Sequence, residues 1–245
     1  MSSVPVRPVR AERSVRHGVL RGRDAGVLLV EVMLLAVFIG LAVAVKRHPG
    51  PLPGDVGLEL DVQHAVLPHR FLTNVLDAVS TLNWPIPATI TIAIIMLIFL
   101  LLRRWLDALA VVATLAVIEG TGTPINRFIH RPRPSDHGIH VLAVIRGSYS
   151  FPSGHVIHAT AVFGMFLFLT TQVRHQFHPA IVWLVRLVAV AVIVLMPISR
   201  VEEGEHWPSD VLGGLLYGAF WLIIAAYAYL WARNRWPRLL ARDER

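Results

Sequence analysis

Runs of about twenty apolar residues, separated by short arginine-bearing stretches, constrain this chain more than any other feature. Ala25 to Val45 is the clearest. At 1.5 Å per residue, a helix of that run crosses the ~30 Å of hydrocarbon in a bilayer. Ile86 to Leu102, Leu106 to about Thr121, Pro152 to Thr171, Ala180 to Ile198 and Val211 to Trp231 repeat the pattern. Backbone polar groups find no water there, so each run satisfies them internally as a helix. With 55% hydrophobic residues over 245 positions, the chain reads as one integral membrane domain, all-α and polytopic, with six transmembrane helices. Residues 1–24 form a basic tail without apolar period, residues 25–232 the membrane domain, and residues 233–245 a second basic tail. No small-residue cleavage site follows the first run, which is therefore a retained helix rather than a signal peptide.

The arginines report topology. Arg7 to Arg23, the Arg103-Arg104 turn, the Arg174 loop and Arg233 to Arg245 share one face in a six-span layout, and the positive-inside bias makes that face cytoplasmic. Both termini are then cytoplasmic. The net charge of +7 is accounted for in this way, and no nucleic-acid partner is read from it. The absence of cysteine excludes disulfides, thiolate catalysis and zinc–thiolate sites. Against the trend, Arg127, Arg131, Arg133, Arg146 and Arg200 fall on the opposite, extracytoplasmic face. An anionic ligand is the simplest local reason. The same face carries Asp55 to Leu82, where Asp61, His64, His69, Arg70 and Asp77 interrupt apolar residues, as one or two amphipathic helices lying at the interface.

Three clusters on that face carry chemistry. In Ser199 to Asp210, Pro208 suits the first turn of a helix, and His206 and Asp210 are four apart. That spacing lets the carboxylate accept a hydrogen bond from one ring nitrogen and leaves the other free to attack. Arg200 offers a planar fork for phosphate oxygens. The bland alternative is an interfacial loop whose charges meet only headgroups. In Pro152-Ser153-Gly154-His155, Ser153 can cap a helix, Gly154 lets an anion approach the backbone, and His155 can donate a proton to a leaving oxygen. Its alternative is a plain cap beside an interfacial histidine. Arg131-Pro132-Arg133-Pro134 alone reads equally as an extended basic loop. Together the clusters supply what phosphoryl transfer through a phosphohistidine needs: charge clamps, an in-line nucleophile and an opposing acid.

At this point the sequence resembles the type 2 phosphatidate phosphatase superfamily, which includes lipid phosphate phosphatases and polyprenyl pyrophosphate phosphatases. The family's second motif stands complete at Pro152 to His155, and its third at Ser199-Arg200, His206 and Asp210. The first motif ends correctly at Arg133-Pro134, but Asn126 stands where the family has lysine, with Arg127 beside it. By resemblance, His206 is the nucleophile, Asp210 its orienting partner and His155 the general acid. Arg133, Arg200, Ser153 and Gly154 hold the phosphate, with Asn126 and Arg127 as further candidates. The resemblance implies no metal and no cofactor. It implies a membrane phosphatase acting on a lipid phosphate or diphosphate, with polyprenyl diphosphate first and phosphatidate or phosphatidylglycerol phosphate second. A lipid phosphotransferase to a hydroxyl acceptor and a catalytically silent lipid-phosphate binder are the alternatives. The oligomeric state is not read from the sequence. Three further features remain: Glu119 is expected to pair with a nearby arginine, its alternative being to line the site; Glu202, Glu203 and Glu205 are expected in a solvated loop, their alternative being a gate; and Arg186 is expected to snorkel from its span.

Overall fold

The computed structural model describes residues 9–135, 137–142, 149–174 and 176–235, and of residues 9–24, 85 and 173 only the backbone. Residues 1–8 and 236–245 of the two basic tails, and Arg146 among the arginines assigned to the site face, lie outside the described residues. Among the described residues there is no strand. The helices are α1 (Val9–Arg47), α2 (Asp55–Val66), α3 (Arg70–Thr81), α4 (Pro85–Leu101), α5 (Trp105–Ile129), α6 (Gly154–His158), α7 (Gly164–Val173), α8 (Pro179–Glu202) and α9 (Pro208–Arg235). A π-helical turn, Ala159–Phe163, joins α6 to α7 so that the two continue as one apolar stretch. The helix α1 begins inside the basic segment expected to lack structure.

Five segments are long and apolar enough to cross a membrane: Ala25–Arg47, α5, Gly154–Gln172, α8 and α9. The helix α4 has 17 residues, and only with α3, from which it departs at 64°, does it make a sixth. Prolines open α4, α8 and α9, where a missing N–H costs nothing. The third and fifth spans run further than their apolar patterns. The helix α5 continues past Thr121 to carry Asn126 and Arg127, and α8 continues past Ile198 to carry Ser199, Arg200 and Glu202. Ser199, Arg200 and Glu202 in the last turn of α8 are buried in protein, so the apolar period fades before the helix does.

The helix α9 is the hub, in contact with α1, α5, α6 and the π-helical turn. Its small residues allow this. A Cβ on Gly214 would lie 2.8 Å from the Ser153 carbonyl oxygen, and one on Gly218 would lie 2.7 Å from Thr160 Cβ. The helix carrying Pro152 to His155 therefore approaches α9 backbone to backbone. Phe151 packs beside it against Phe38, ring centroids 5.9 Å apart, and Phe38 meets Tyr217 at 4.9 Å. Large side chains such as Leu28, Leu97, Trp183 and Leu187 point outward, as bilayer-facing residues do.

The segment Asp55 to Leu82 forms two helices, and α2 does not lie on a membrane surface by an apolar face. Its buried residues are Asp55, Glu59, Gln63 and Val66, a stripe at four-residue intervals that is mostly polar. Gln63 Nε2 donates to the carbonyls of His140 (2.7 Å) and Glu202 (2.9 Å), and its Oε1 accepts from the His140 N–H (2.9 Å). This docks α2 onto the end of α8 and onto the segment between α5 and α6.

Candidate active site

The ends of α5 and α6, the loop between them and the turn between α8 and α9 converge on a cavity of about 210 Å³ whose lining includes Asn126, Arg133, Tyr149, Gly154, His155 and His206. Residues as far apart in the chain as Ile118 and His206 thus share one space.

His206 is 2% exposed and both ring nitrogens are placed. Nδ1 lies 2.8 Å from the Ser150 carbonyl oxygen, so it carries the proton and donates it there. Nε2 lies 3.2 Å from Arg133 Nη1 and accepts from it, and both residues line the cavity. Burial holds the imidazole well below the usual histidine range, and the Arg133 and Arg200 charges and His155 push the same way. The ring is therefore neutral at pH 7. The backbone is fixed too: the His206 N–H donates to the Arg200 carbonyl (3.2 Å), and Gly204 turns the chain with φ +66°, where a Cβ would sit 2.5 Å from the His140 oxygen.

The expected bond from His206 to Asp210 is not made. The carboxylate stands 3.9 Å from Nδ1, and the Ser150 carbonyl takes the place assigned to it. Asp210 Oδ2 accepts from the Trp207 N–H (2.9 Å), and Oδ1 accepts from Arg131 Nη1 (2.5 Å). Arg131 is fully buried and joins two carboxylates: Nη2 donates to Asp55 (2.8 Å) and to the Gly50 carbonyl (2.8 Å), and Nη1 also reaches Ser209 (2.8 Å). Asp55 in turn accepts from the N–H and hydroxyl of Ser209. Asp210 thus acts on His206 through the turn between them. Sequence reasoning missed Arg131 and Asp55 in this role; the only signal was the four-residue spacing of polar residues from Asp55 onward.

Arg200 does not present a free fork to the cavity. It is fully buried, with Nη1 on Glu205 (2.8 Å), Nη2 on Glu203 (2.5 Å), and the Ser80 hydroxyl of α3 also against Nη2. Glu202, Glu203 and Glu205 are correspondingly 1%, 6% and 5% exposed, which corrects the solvated-loop expectation. A buried guanidinium needs carboxylates around it, and two of the three supply that. Burial raises the Glu203 carboxyl while Arg200 opposes it. Asp77, Glu202 and Glu203 are, among the described residues, the group whose oxygens come close enough for a metal, and they do not line the cavity.

Asn126 lines the cavity, but its Nδ2 is occupied by the carbonyls of Tyr149 and Phe151, both at 3.0 Å. It ties the approach to the Pro-Ser-Gly-His segment to α5. Arg127 is exposed and does not line the cavity, so it does not stand in for the family lysine. Ser153 occupies the N-cap position of α6 without making a cap hydrogen bond. Its Oγ, like His155 Nε2, is buried with no partner among the described residues, which leaves both available to a ligand. The His155 carbonyl is held by Asn83 Nδ2 at 2.8 Å.

Glu119 pairs with His158 of α6, not with an arginine, and both line the cavity. Arg133, which lines the same cavity, donates to the Glu205 carbonyl and meets His206. Arg186 reaches Thr170 at 2.9 Å and lies over the Trp183 ring, a contact across helices rather than a reach toward headgroups.

Comparison with known proteins places this arrangement. A sequence model described as the PAP2 superfamily matches residues 105–235, more than half of the chain. The chain is 32% identical over 111 residues to a lipid A 1-phosphatase of Rhizobium johnstonii, covering 43% of this chain and 41% of that protein. It is 34% identical over 107 residues to phosphatidylglycerophosphatase B of Bacillus subtilis, covering 42% and 50%. The chain thus spans half or less of the length of these curated relatives. A crystal structure of a transmembrane PAP2-type phosphatidylglycerolphosphate phosphatase from Bacillus subtilis superposes with a TM-score of 0.64 at 26% identity, over 80% of this chain and 93% of that one. With the second and third motifs inside the matched segment, and four fifths of its length folded like a solved member, this multi-pass membrane protein belongs to the PAP2 superfamily.

Proposed function

We propose that the chain is a metal-independent membrane phosphatase that removes the terminal phosphate of a lipid phosphate or diphosphate through a phosphohistidine on His206. The observation that carries the reading is a neutral His206 whose Nδ1 is held by Ser150, so that the unprotonated Nε2 borders the cavity shared with Arg133 and His155 and is freed to attack when Arg133 turns its donor to the phosphate. Nε2 attacks phosphorus, and the P–N bond forms as the bond to the leaving oxygen breaks. His155 Nε2 gives that oxygen a proton. In the second half a water, deprotonated by His155, displaces the histidine and releases inorganic phosphate. Arg133 and the Ser153 hydroxyl with the backbone at Gly154 hold the equatorial oxygens, and Arg200 adds charge from behind. Following the positive-inside bias, the site faces the extracytoplasmic side and both termini the cytoplasm. Relatives named for lipid A and phosphatidylglycerol phosphate support a lipid phosphate as substrate.

The test is phosphate release from a panel of lipid phosphates by detergent-purified protein in a chelator, beside His206→Ala. The reading expects release without metal, an acid-labile phosphoenzyme, and loss of both in the variant. No release and no trapped phosphoenzyme from the parent would leave the silent binder, the reading that the uncharged and already bonded Asn126 favours.

A further inference from the structure

The cavity holds one polar pair that the proposed chemistry leaves unused. His158 sits one turn beyond the general acid His155 on α6, and Glu119 meets it from α5. Both line the cavity that contains His206. Residues three apart on a helix have Cβ atoms about 5–6 Å apart. The pair therefore borders the same cavity within about one helical turn of the acid. Glu119 is 58% exposed at its side chain, so it stays open to a ligand. Of the roughly four acceptor sites on a carboxylate, His158 and the Thr123 hydroxyl take two, which leaves acceptor capacity toward the cavity. A hydrocarbon leaving group has nothing to offer this pair and would strip water from it.

Resting on the phosphatase reading above, we infer that Glu119, oriented by His158, recognises a hydrogen-bond donor on the carbon adjacent to the one that carries the leaving oxygen. The favoured substrates are then phosphate esters of polyhydroxylated headgroups. Prenyl diphosphates, whose leaving group is a phosphate, and phosphatidate, whose neighbouring carbon is acylated, are disfavoured. Glu119 and His158 are specificity residues in this account; the nucleophile and acid work without them.

The experiment compares the full chain on phosphatidylglycerol phosphate and on its analogue lacking the hydroxyl beside the phosphate, with Glu119→Gln run on both. Wild type should prefer the hydroxylated lipid in kcat/KM by roughly 10- to 100-fold, the range for a hydrogen bond to a charged group. Glu119→Gln should lose about tenfold on the hydroxylated lipid and stay within about twofold of wild type on the analogue, so that selectivity collapses while turnover persists. Equal kcat/KM of wild type on the two lipids overturns the inference, whatever the variant does. Equal slowing of both lipids in the variant also overturns it, because it makes Glu119 structural. Release by wild type from other lipid phosphates but from neither of these two would also overturn it, whereas absence of release from every lipid phosphate tried would instead remove the phosphatase reading itself.

Discussion

Replacing Arg131 with methionine tests the claim that a buried cation outside the nucleophile's own segment holds the nucleophile in place. Methionine keeps length and apolar stem but leaves Asp55 and Asp210 buried without their shared partner, along with the carbonyl of Gly50. Both carboxylates are 4% exposed or less, so solvent does not rescue them. Removing one member of a buried pair costs about 3–5 kcal/mol. For a domain of this size that is a fall in apparent Tm of about 6–20 °C. Thermal unfolding of the detergent-purified protein at one scan rate, followed by tryptophan fluorescence, reads it. Asp55→Asn in the same background removes one of the stranded charges, so the double variant should be less destabilised than the sum of the singles by about 1–3 kcal/mol. Arg131→Lys should recover only part, because an ammonium cannot serve two carboxylates and a carbonyl in one plane. A Tm for Arg131→Met within about 2 °C of wild type, below the smallest expected effect, would refute the reasoning.

Other expectations follow from the same geometry. His206→Ala should lower phosphate release by at least about 10⁴-fold and abolish phosphoenzyme, while lipid binding by equilibrium dialysis persists. Because burial and two arginines depress His206, the unfolded chain binds the additional proton: its contribution to stability is full above about pH 6.5 and is lost below it, as the pH falls toward the depressed folded value. Arg133→Gln should move the acid limb of kcat/KM upward in pH, and an unmoved limb would exclude His206 as its source. Glu59, fully buried with no partner, is pushed up to about 8 by burial and then by Asp55 and Asp210, against Arg131. Its folded value lies above the unfolded one, so stability should fall as pH rises from about 4.5 to 8, and Glu59→Gln should raise Tm at pH 8 with little change at pH 4. Gly214→Ala should cost about 1–3 kcal/mol of stability and reduce activity, since the new methyl meets the Ser153 carbonyl; unchanged Tm and turnover would contradict the close approach.

The spans and the gathering of polar clusters were legible because apolar run length and proline position act locally. Pro208 starting α9 and Pro152 to His155 leading into α6 needed only the residues themselves. The paths of Arg200, Arg127 and Asn126 were not legible in the same way. An arginine in a phosphate-binding motif reads as a phosphate ligand, and only the burial of Glu203 and Glu205 around Arg200 shows where its donors go. Those glutamates looked solvated because three acids in a row usually are; the fold sinks them by placing α2 and α3 across α8. The polar stripe Asp55, Glu59, Gln63 was visible as a period of four, but a polar period has no meaning until its partner surface is known. The π-helical turn at Ala159–Phe163 left no sequence trace that we can name.

The span of the docking contacts bears on inheritance. The segment that defines the family starts at Trp105, yet the nucleophile's turn is held by the carbonyl of Gly50 through Arg131, by Asp55 on Ser209 and by Gln63 on the backbone of Glu202. The recognisable half of the chain is therefore not a transferable module. A chimaera that fused residues 105–235 to the leading third of a distant relative would inherit every motif residue and still misplace His206, unless the donor also supplied a carboxylate and an amide at these two points. Substitutions at Asp55 and Arg131 should accordingly travel together between lineages, and a lineage that lost one would be expected to have lost the other or rebuilt the turn.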